Sequence, residues 1–448
     1  MSSFWCATAL LGEQGSPTIS QRVRVEASDG LITAITPDVA PDPQDQVLDG
    51  VVVPAAANAH SHAFHRTLRG RTHHGGGDFW VWREQMYRSA AHLSPQRYEQ
   101  LATAVFAEMV VAGFSSVAEF HYVHHQPDGT PYPQPHAMEL ALARAATAAG
   151  IRLTLLDTLY LAGGIHAPLS AQQKRFGDAD VHAWLDRLHD LRAEVAKAFD
   201  PAMVAVGAAL HSVRGVPETD LETAAHRLPA QIPVHIHLSE QPAENQACLQ
   251  AYGLTPTALL ARHGLLSPRL SAVHATHLSE DDIALLGGSE VTVVMCPTTE
   301  ADLADGIGPA TALAKAGATI ALGTDQHAVI DPWLEMRGLE HGERLSSGRR
   351  GRFSPGQLLH AATAGATRSM ATPVAPDTVR VGSVCDLVCV NSTSARTAGS
   401  LPDQLPLTAT AGDVTTVVIG GKTVAADGKH VGLGDPGELL STALEDFS

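Results

Sequence analysis

The chain has 448 residues, 44% hydrophobic and 17% charged, enough for one large core and a smaller one. Its formal net charge of −17 argues against nucleic acid or an anionic membrane surface as partner, because both need a basic face. No apolar run approaches the roughly 18 residues of a membrane helix, the start Met1-Ser2-Ser3-Phe4-Trp5 carries no basic leader, and five scattered cysteines make no disulfide framework, so a cytoplasmic protein is expected.

Short β-type runs open the chain at Phe4 to Leu10, Val23 to Ala27 and Leu31 to Thr36, broken by Gly12, Gly30 and the stretch from Pro37 to Pro43. From residue 51 the rhythm becomes strand then helix. Strands are expected at Val51 to His62, Ser115 to Val123, Arg152 to Leu159, Val204 to His211, Pro233 to Ser239, Leu270 to His274, Val291 to Cys296 and Thr319 to Thr324. Ser94-Pro95 starts a helix that Gly113 stops, and further helices are expected at His136 to Ala149, Asp180 to Phe199, Thr255 to His263, Ser279 to Leu286 and Pro309 to Ala316. Eight such units in about 300 residues match the count and size of a (β/α)₈ TIM barrel. A doubly wound open sheet competes, but no Gly-x-Gly-x-x-Gly follows the first strand. After about residue 373 the β pattern returns, with Val384 to Val390 and a hairpin of Val414 to Ile419 and Lys422 to Ala426 around Gly420-Gly421. The two terminal segments are expected to pair into one satellite. The chain then divides into residues 1–53, a barrel over 54–372, and 373–448.

Working residues of such barrels sit at the C-terminal strand ends. Here strand one ends in His60-Ser61-His62, strand five in His237-Leu238-Ser239-Glu240, strand six in His274 and strand eight in Asp325. His60 and His62, two apart on a strand, share a face and reach one point. An isolated His-x-His is more often two polar residues where a strand meets solvent. Four strand ends converging on His, Glu and Asp favour a metal centre over a packing role.

This set, in this order, resembles the amidohydrolase superfamily and its metal-dependent deaminase branch, and the resemblance spans the whole chain. It implies a barrel with a small β-sandwich formed by both termini, and a divalent metal held by His60, His62, His237 and Asp325. Glu240, His274 and Asp325 would be catalytic, while His235 and His277 would stand aside. Two-metal members bridge their ions with a modified lysine on strand four. Here Leu210-His211-Ser212 stands at that end, and the lysines are Lys174, Lys197, Lys315, Lys422 and Lys429. One metal per chain follows, zinc first, able to lower the pKa of a bound water from 15.7 to roughly 7.

The runs Asn58 to Arg66, Asp78 to Tyr87, Ala118 to His125 and Cys296 to Asp302 further resemble the formimidoylglutamate deiminase family. That implies hydrolytic release of ammonia from N-formimidoyl-L-glutamate, giving N-formyl-L-glutamate in histidine degradation, by a homodimer. Substrate carboxylates would be held by Arg83, Tyr122 and Arg214, with His211 and His65 beside them. His65 stands where many members carry glutamine. On spacing alone Arg83 reads as a solvated helix residue and Tyr122 as a half-buried strand residue; guanidinium forks nonetheless suit a dianion in an acidic protein. Two other readings remain: deamination of a purine or pterin ring, with Phe79, Trp80 and Trp82 stacking on it, and a non-catalytic scaffold, which has no need of the ligand set.

Overall fold

The computed structural model describes residues 1–12, 17–73, 79–371 and 378–447. The expected boundary at 372/373, the Gly75-Gly76-Gly77 loop and Asp78 lie outside the described residues, as do the side chains of Phe79 and Trp80. Four strands open the chain: β1 (Ser2–Leu11), β2 (Thr18–Ser28), β3 (Leu31–Thr36) and β4 (Gln46–Pro54). β1 pairs antiparallel with β2 and parallel with β4. The single strand expected from Val51 to His62 is in fact two. Ala55 donates its N–H to Asp386 O at 3.1 Å, while Ala56 donates to Gly113 O at 2.9 Å, so the chain changes sheets between them. Unbroken apolar patterning conceals such a change of partner.

Eight parallel strands follow, β5 (Ala56–Ser61), β6 (Phe114–His121), β7 (Arg152–Leu159), β8 (Val204–Ser212), β9 (Val234–Leu238), β10 (Leu270–His274), β11 (Thr292–Met295) and β12 (Thr319–Leu322), each beside the next. Beyond β12 the chain closes the ring onto β5: the N–H groups of Thr324 and Asp325 both donate to His60 O (3.1 and 3.0 Å), and His62 N–H donates to Asp325 O at 3.1 Å. The same residues that were read as metal ligands thus seal the barrel. Helices α1 (Phe79–His92) and α2 (Pro95–Ala112) separate β5 from β6. α2 starts where Ser94 accepts the N–H of Arg97 at 3.3 Å, buries Tyr98, Leu101, Val105 and Met109 on one stripe, and ends at Gly113 with φ 109°. α3 (Ala137–Ala149) and α4 (Val181–Ala198) follow their expected spans, while α5 (Glu218–Arg227) and α6 (Pro242–Tyr252) were not marked by the pattern.

The chain returns to the first sheet with β13 (Leu387–Val390), β14 (Val414–Ile419), β15 (Lys422–Ala426) and β16 (Lys429–His430), in the order β16-β15-β14-β13-β4-β1-β2-β3. Gly420 and Gly421 both take positive φ (58° and 72°), as a two-residue hairpin turn requires. The β3 edge folds back on the segment before β13 through Ile32 N–H to Ser383 O and Cys385 N–H to Gly30 O, both 2.8 Å. A separate core of Phe4, Cys6, Val25, Ile32, Leu48, Cys385 and Leu387 is thereby enclosed, giving the small β-sandwich built from both termini. Arg152 of β7 is paired with buried Asp386, which also accepts Gly420 N–H at 2.8 Å, and so ties the barrel to the sandwich. All five cysteines are buried and unpaired. No helix among the described residues is long and apolar enough to cross a membrane.

Candidate metal centre and active site

Alternation along β5 and β9 turns His60, His62 and His237 into the barrel. Their Nε2 atoms converge: His237 Nε2 is 3.2 Å from that of His60 and 3.3 Å from that of His62. Asp325 Oδ1 lies 3.4 and 3.6 Å from the same two atoms. The rings are aimed by backbone. His62 Nδ1 meets Phe120 O at 2.8 Å and His237 Nδ1 meets His211 O at 2.9 Å, which fixes the tautomer and leaves each Nε2 lone pair facing the centre. Burial keeps the imidazoles neutral, His60 and His62 well below the ordinary histidine range and His237 down to about 3. Three neutral imidazoles and a carboxylate on one point fit a divalent cation.

His274, at the end of β10, stands between carboxylates, with Nε2 3.9 Å from Glu240 and 3.7 Å from Asp325, and Nδ1 3.4 Å from Glu300. Burial alone would discharge it, but Glu240, Glu300 and Asp325 together push it up to about 10. Burial carries Asp325 up to about 7 against the pull of His274. Glu240 is held below the usual carboxylate range, because His274, Arg214 and His237 outweigh its desolvation. The backbone here is bent as well: Ser239, His274, Ala275, Asp325 and His327 take φ of 49°, 68°, 51°, 43° and 59°. Left-handed non-glycine residues are costly, and five at the strand ends of one site show how firmly the surroundings hold it.

A cavity of about 400 Å³ opens over the centre, and its wall includes His65, Trp82, Arg83, Tyr122, His211, Arg214 and Glu240. Every residue expected to hold substrate therefore faces one space. His65 Nε2 is 2.9 Å from the Tyr122 hydroxyl, and its ring centroid is 4.5 Å from that of His62. Arg83 donates through Nε to the Tyr87 hydroxyl at 2.7 Å. Arg214 bridges two carboxylates, with Nη2 3.4 Å from Glu240 Oε2 and Nε 3.3 Å from Glu244 Oε2. The set-aside histidines stay apart: His235 Nε2 bonds Ser369 O and His277 Nε2 bonds Asp305 O, each at 2.8 Å.

Sequence reasoning passed over the supports of this site. Behind the ligands runs a buried chain in which Ser61 Oγ donates to Glu119 (2.5 Å) and lies 3.1 Å from His327 Nε2. His327 Nδ1 is 2.9 Å from Thr324 Oγ1, which accepts from Asn58 Nδ2 at 2.7 Å. Glu300 lies within the segment Cys296 to Asp302, yet only the fold reveals that it faces His274. Glu244 had no signal, since its role depends on where α6 starts.

Comparison with known proteins gives a consistent result. A family model described as Amidohydrolase family matches residues 51–424. The chain is 36% identical to the formimidoylglutamate deiminase of Pseudomonas aeruginosa over 448 residues, covering 96% of each. It is 28% identical to an 8-oxoguanine deaminase of the same species, covering 86% of this chain and 84% of that one. Among solved structures, an amidohydrolase from Brucella melitensis superposes with a TM-score of 0.90 at 30% identity, each chain fully covered. An adenosine deaminase from Xanthomonas campestris with bound zinc gives 0.83 at 25% identity, covering 99% and 97%. With a closed barrel, His and Asp side chains converging at its strand ends and a matching pattern over most of its length, the chain belongs to the amidohydrolase family.

Proposed function

We propose that this hydrolase of C–N bonds deiminates N-formimidoyl-L-glutamate, releasing ammonia and N-formyl-L-glutamate in the breakdown of histidine. The observation that carries the substrate is the pair of guanidinium groups, Arg83 and Arg214, on the wall of the cavity that also holds Glu240 and Asp325. The 36% identity to a formimidoylglutamate deiminase supports the same reading. A dianion of this size needs fixed positive charge in an acidic protein, and guanidinium forks match carboxylates.

His60, His62, His237 and Asp325 would hold one divalent metal in this centre, zinc first. When bound, such an ion supplies Lewis acidity that brings the pKa of a coordinated water to roughly 7. Asp325 Oδ2 takes a proton from the attacking water as the C–O bond forms at the imine carbon. Glu240, ionised at rest, relays that proton to the nitrogen and then passes it a second one from the new hydroxyl, so that C=O forms as the C–N bond breaks and ammonia leaves with both protons of the water. His274, set between Glu240, Glu300 and Asp325, stabilises negative charge as it develops. Arg83, Tyr122 and Arg214 hold the substrate carboxylates, with His211 and His65 completing the wall.

Trp82 on the same wall, with its Nε1 bonded to Gln326 at 2.7 Å, favours a second reading, deamination of an amino-heterocycle. Ammonia release from a panel of formimidoyl amino acids, purines and pterins separates the two. Turnover confined to the formimidoyl dicarboxylate supports the proposal, and turnover of the rings instead overturns it. A cytoplasmic site, in keeping with five unpaired cysteines, and a homodimer, checked by sedimentation, complete the proposal.

A further inference from the structure

Along β6, Phe120 faces the barrel interior, its ring centroid 4.3 Å from that of His237. The next residue, His121, must therefore face the helices, and so must Asp157, its register partner on β7. Glu139, in the first turn of α3, meets them there: Glu139 Oε1 is 3.3 Å from His121 Nε2 and 2.7 Å from His124 Nδ1, and His124 Nδ1 is 3.7 Å from Asp157 Oδ1. All four residues are at least 95% buried. Neither ring nitrogen of His121 is in a hydrogen bond, although the residue is 1% exposed.

We propose that His121, His124, Glu139 and Asp157 form a second divalent-cation site, of the zinc class, on the outer side of the barrel wall. Among the described residues, His121, His124 and Glu139 are the His/carboxylate cluster that stands apart from the catalytic centre, with Asp157 beside it. Donors about 3.4 Å apart suit bonds of about 2.1 Å; the separations of 3.3 and 3.7 Å already lie close to that, while the 2.7 Å between Glu139 and His124 would lengthen as an ion enters. His124 Nε2 lies 3.0 Å from both Thr158 O and Arg187 Nη2, and its Nδ1 faces Glu139 at 2.7 Å, so an ion would take the place of that hydrogen bond as Nδ1 releases its proton. Charge argues the same way. Glu139, Asp157 and Asp178 share one guanidinium, Arg187, which pairs with both aspartates (3.0 and 2.6 Å), and burial pushes Asp178 up to about 7 and Asp157 above its usual range, so the cluster holds more carboxylates than it has cations to balance. A cavity of about 630 Å³ reaches His124 and Glu139 from outside and gives the ion a way in. With Asp157 drawn in as a fourth donor, two imidazoles and two carboxylates would fill a tetrahedral shell, the arrangement of a structural ion.

The site adds to the one ion of the catalytic centre. Full-length protein is stripped with a chelator, reloaded with zinc ions and counted by plasma mass spectrometry. Two ions are expected in the wild type, one in His237→Ala, one in His121→Ala, and none when both changes are combined. Cobalt(II) loaded into His237→Ala should show d–d absorption that a further Glu139→Gln abolishes. The isosteric Asp157→Asn gives the same readout where the His121 variant fails to fold. A wild type with one ion that His121→Ala retains overturns the site, and so does a second ion that survives both His121→Ala and Glu139→Gln. Failure of the catalytic centre would instead show as full metal content in His237→Ala.

Discussion

Glu240 has two cationic neighbours, Arg214 at 3.4 Å and His274 at 3.9 Å, and both favour its ionised form, free to take up a proton and pass it on. Replacing it with glutamine keeps the shape and removes the proton carrier. Glu240→Gln should keep its zinc and lose turnover on the order of 10² to 10⁴-fold; metal analysis beside steady-state rates checks this, and wild-type turnover would remove Glu240 from the mechanism. His62→Ala and His237→Ala should instead lose the catalytic ion and activity together, read by zinc content and ammonia release. Much of this was legible in the chain, because His60-x-His62 and His237-x-x-Glu240 put their meaning in local spacing. Glu244, Glu300 and the chain from Glu119 to Asn58 were not, because each acts on a partner far away in sequence.

At the scale of elements, the seam between β12 and β5 is where fold and chemistry meet. Asn58 holds both groups of Thr324, donating to Oγ1 at 2.7 Å and accepting its N–H at 3.0 Å, just ahead of Asp325. Asn58→Ala strands buried polar groups and should cost about 1 to 3 kcal/mol in urea unfolding, with weaker zinc retention because Asp325 loses its register; unchanged values in both would show that the seam closes without it. The strand count and the helix caps were readable from period and punctuation, since Ser94 and Gly113 act locally. The break at Ala55 was not, because Val51 to Pro54 are apolar for β1 and β13 rather than for the barrel.

The sandwich has its own acid-sensitive clasps. Burial opposes ionisation of Asp45 and Asp413, yet hydrogen bonds from Arg24 and Ser3 to the first, and from Arg396, Ser394 and Thr410 to the second, bring both from 3.8 down to about 2. A depressed folded value means that the stabilisation is present above the unfolded pKa and is lost as pH falls from about 4 to 2. Urea unfolding across that window should show the loss, with Asp413→Asn flattening it; a slope unchanged by that substitution would contradict the assignment.

For the whole molecule, the satellite and the barrel are held together by a buried charge. Asp386→Ala leaves the Arg152 guanidinium without its partner and should cost about 3 to 5 kcal/mol, measured by denaturant unfolding. A cost under about 1 kcal/mol would show that the pair is solvated. The central claim, however, concerns what the cavity selects. Arg83 and Arg214 come from segments more than a hundred residues apart, and the fold brings both to one wall. The most direct measurement is kcat/KM of wild type, Arg83→Ala and Arg214→Ala, each with N-formimidoyl-L-glutamate and with an uncharged formamidine of similar length. The wild type should prefer the dicarboxylate; Arg83→Ala should lose about 2 to 5 kcal/mol of transition-state binding for it while changing little with the neutral compound, and Arg214→Ala, which also takes a partner from Glu240, should lose more on the dicarboxylate than on the neutral compound. A wild type that prefers the neutral compound, or variants that lose equally on both, would contradict the carboxylate clamp and favour the heterocycle deaminase.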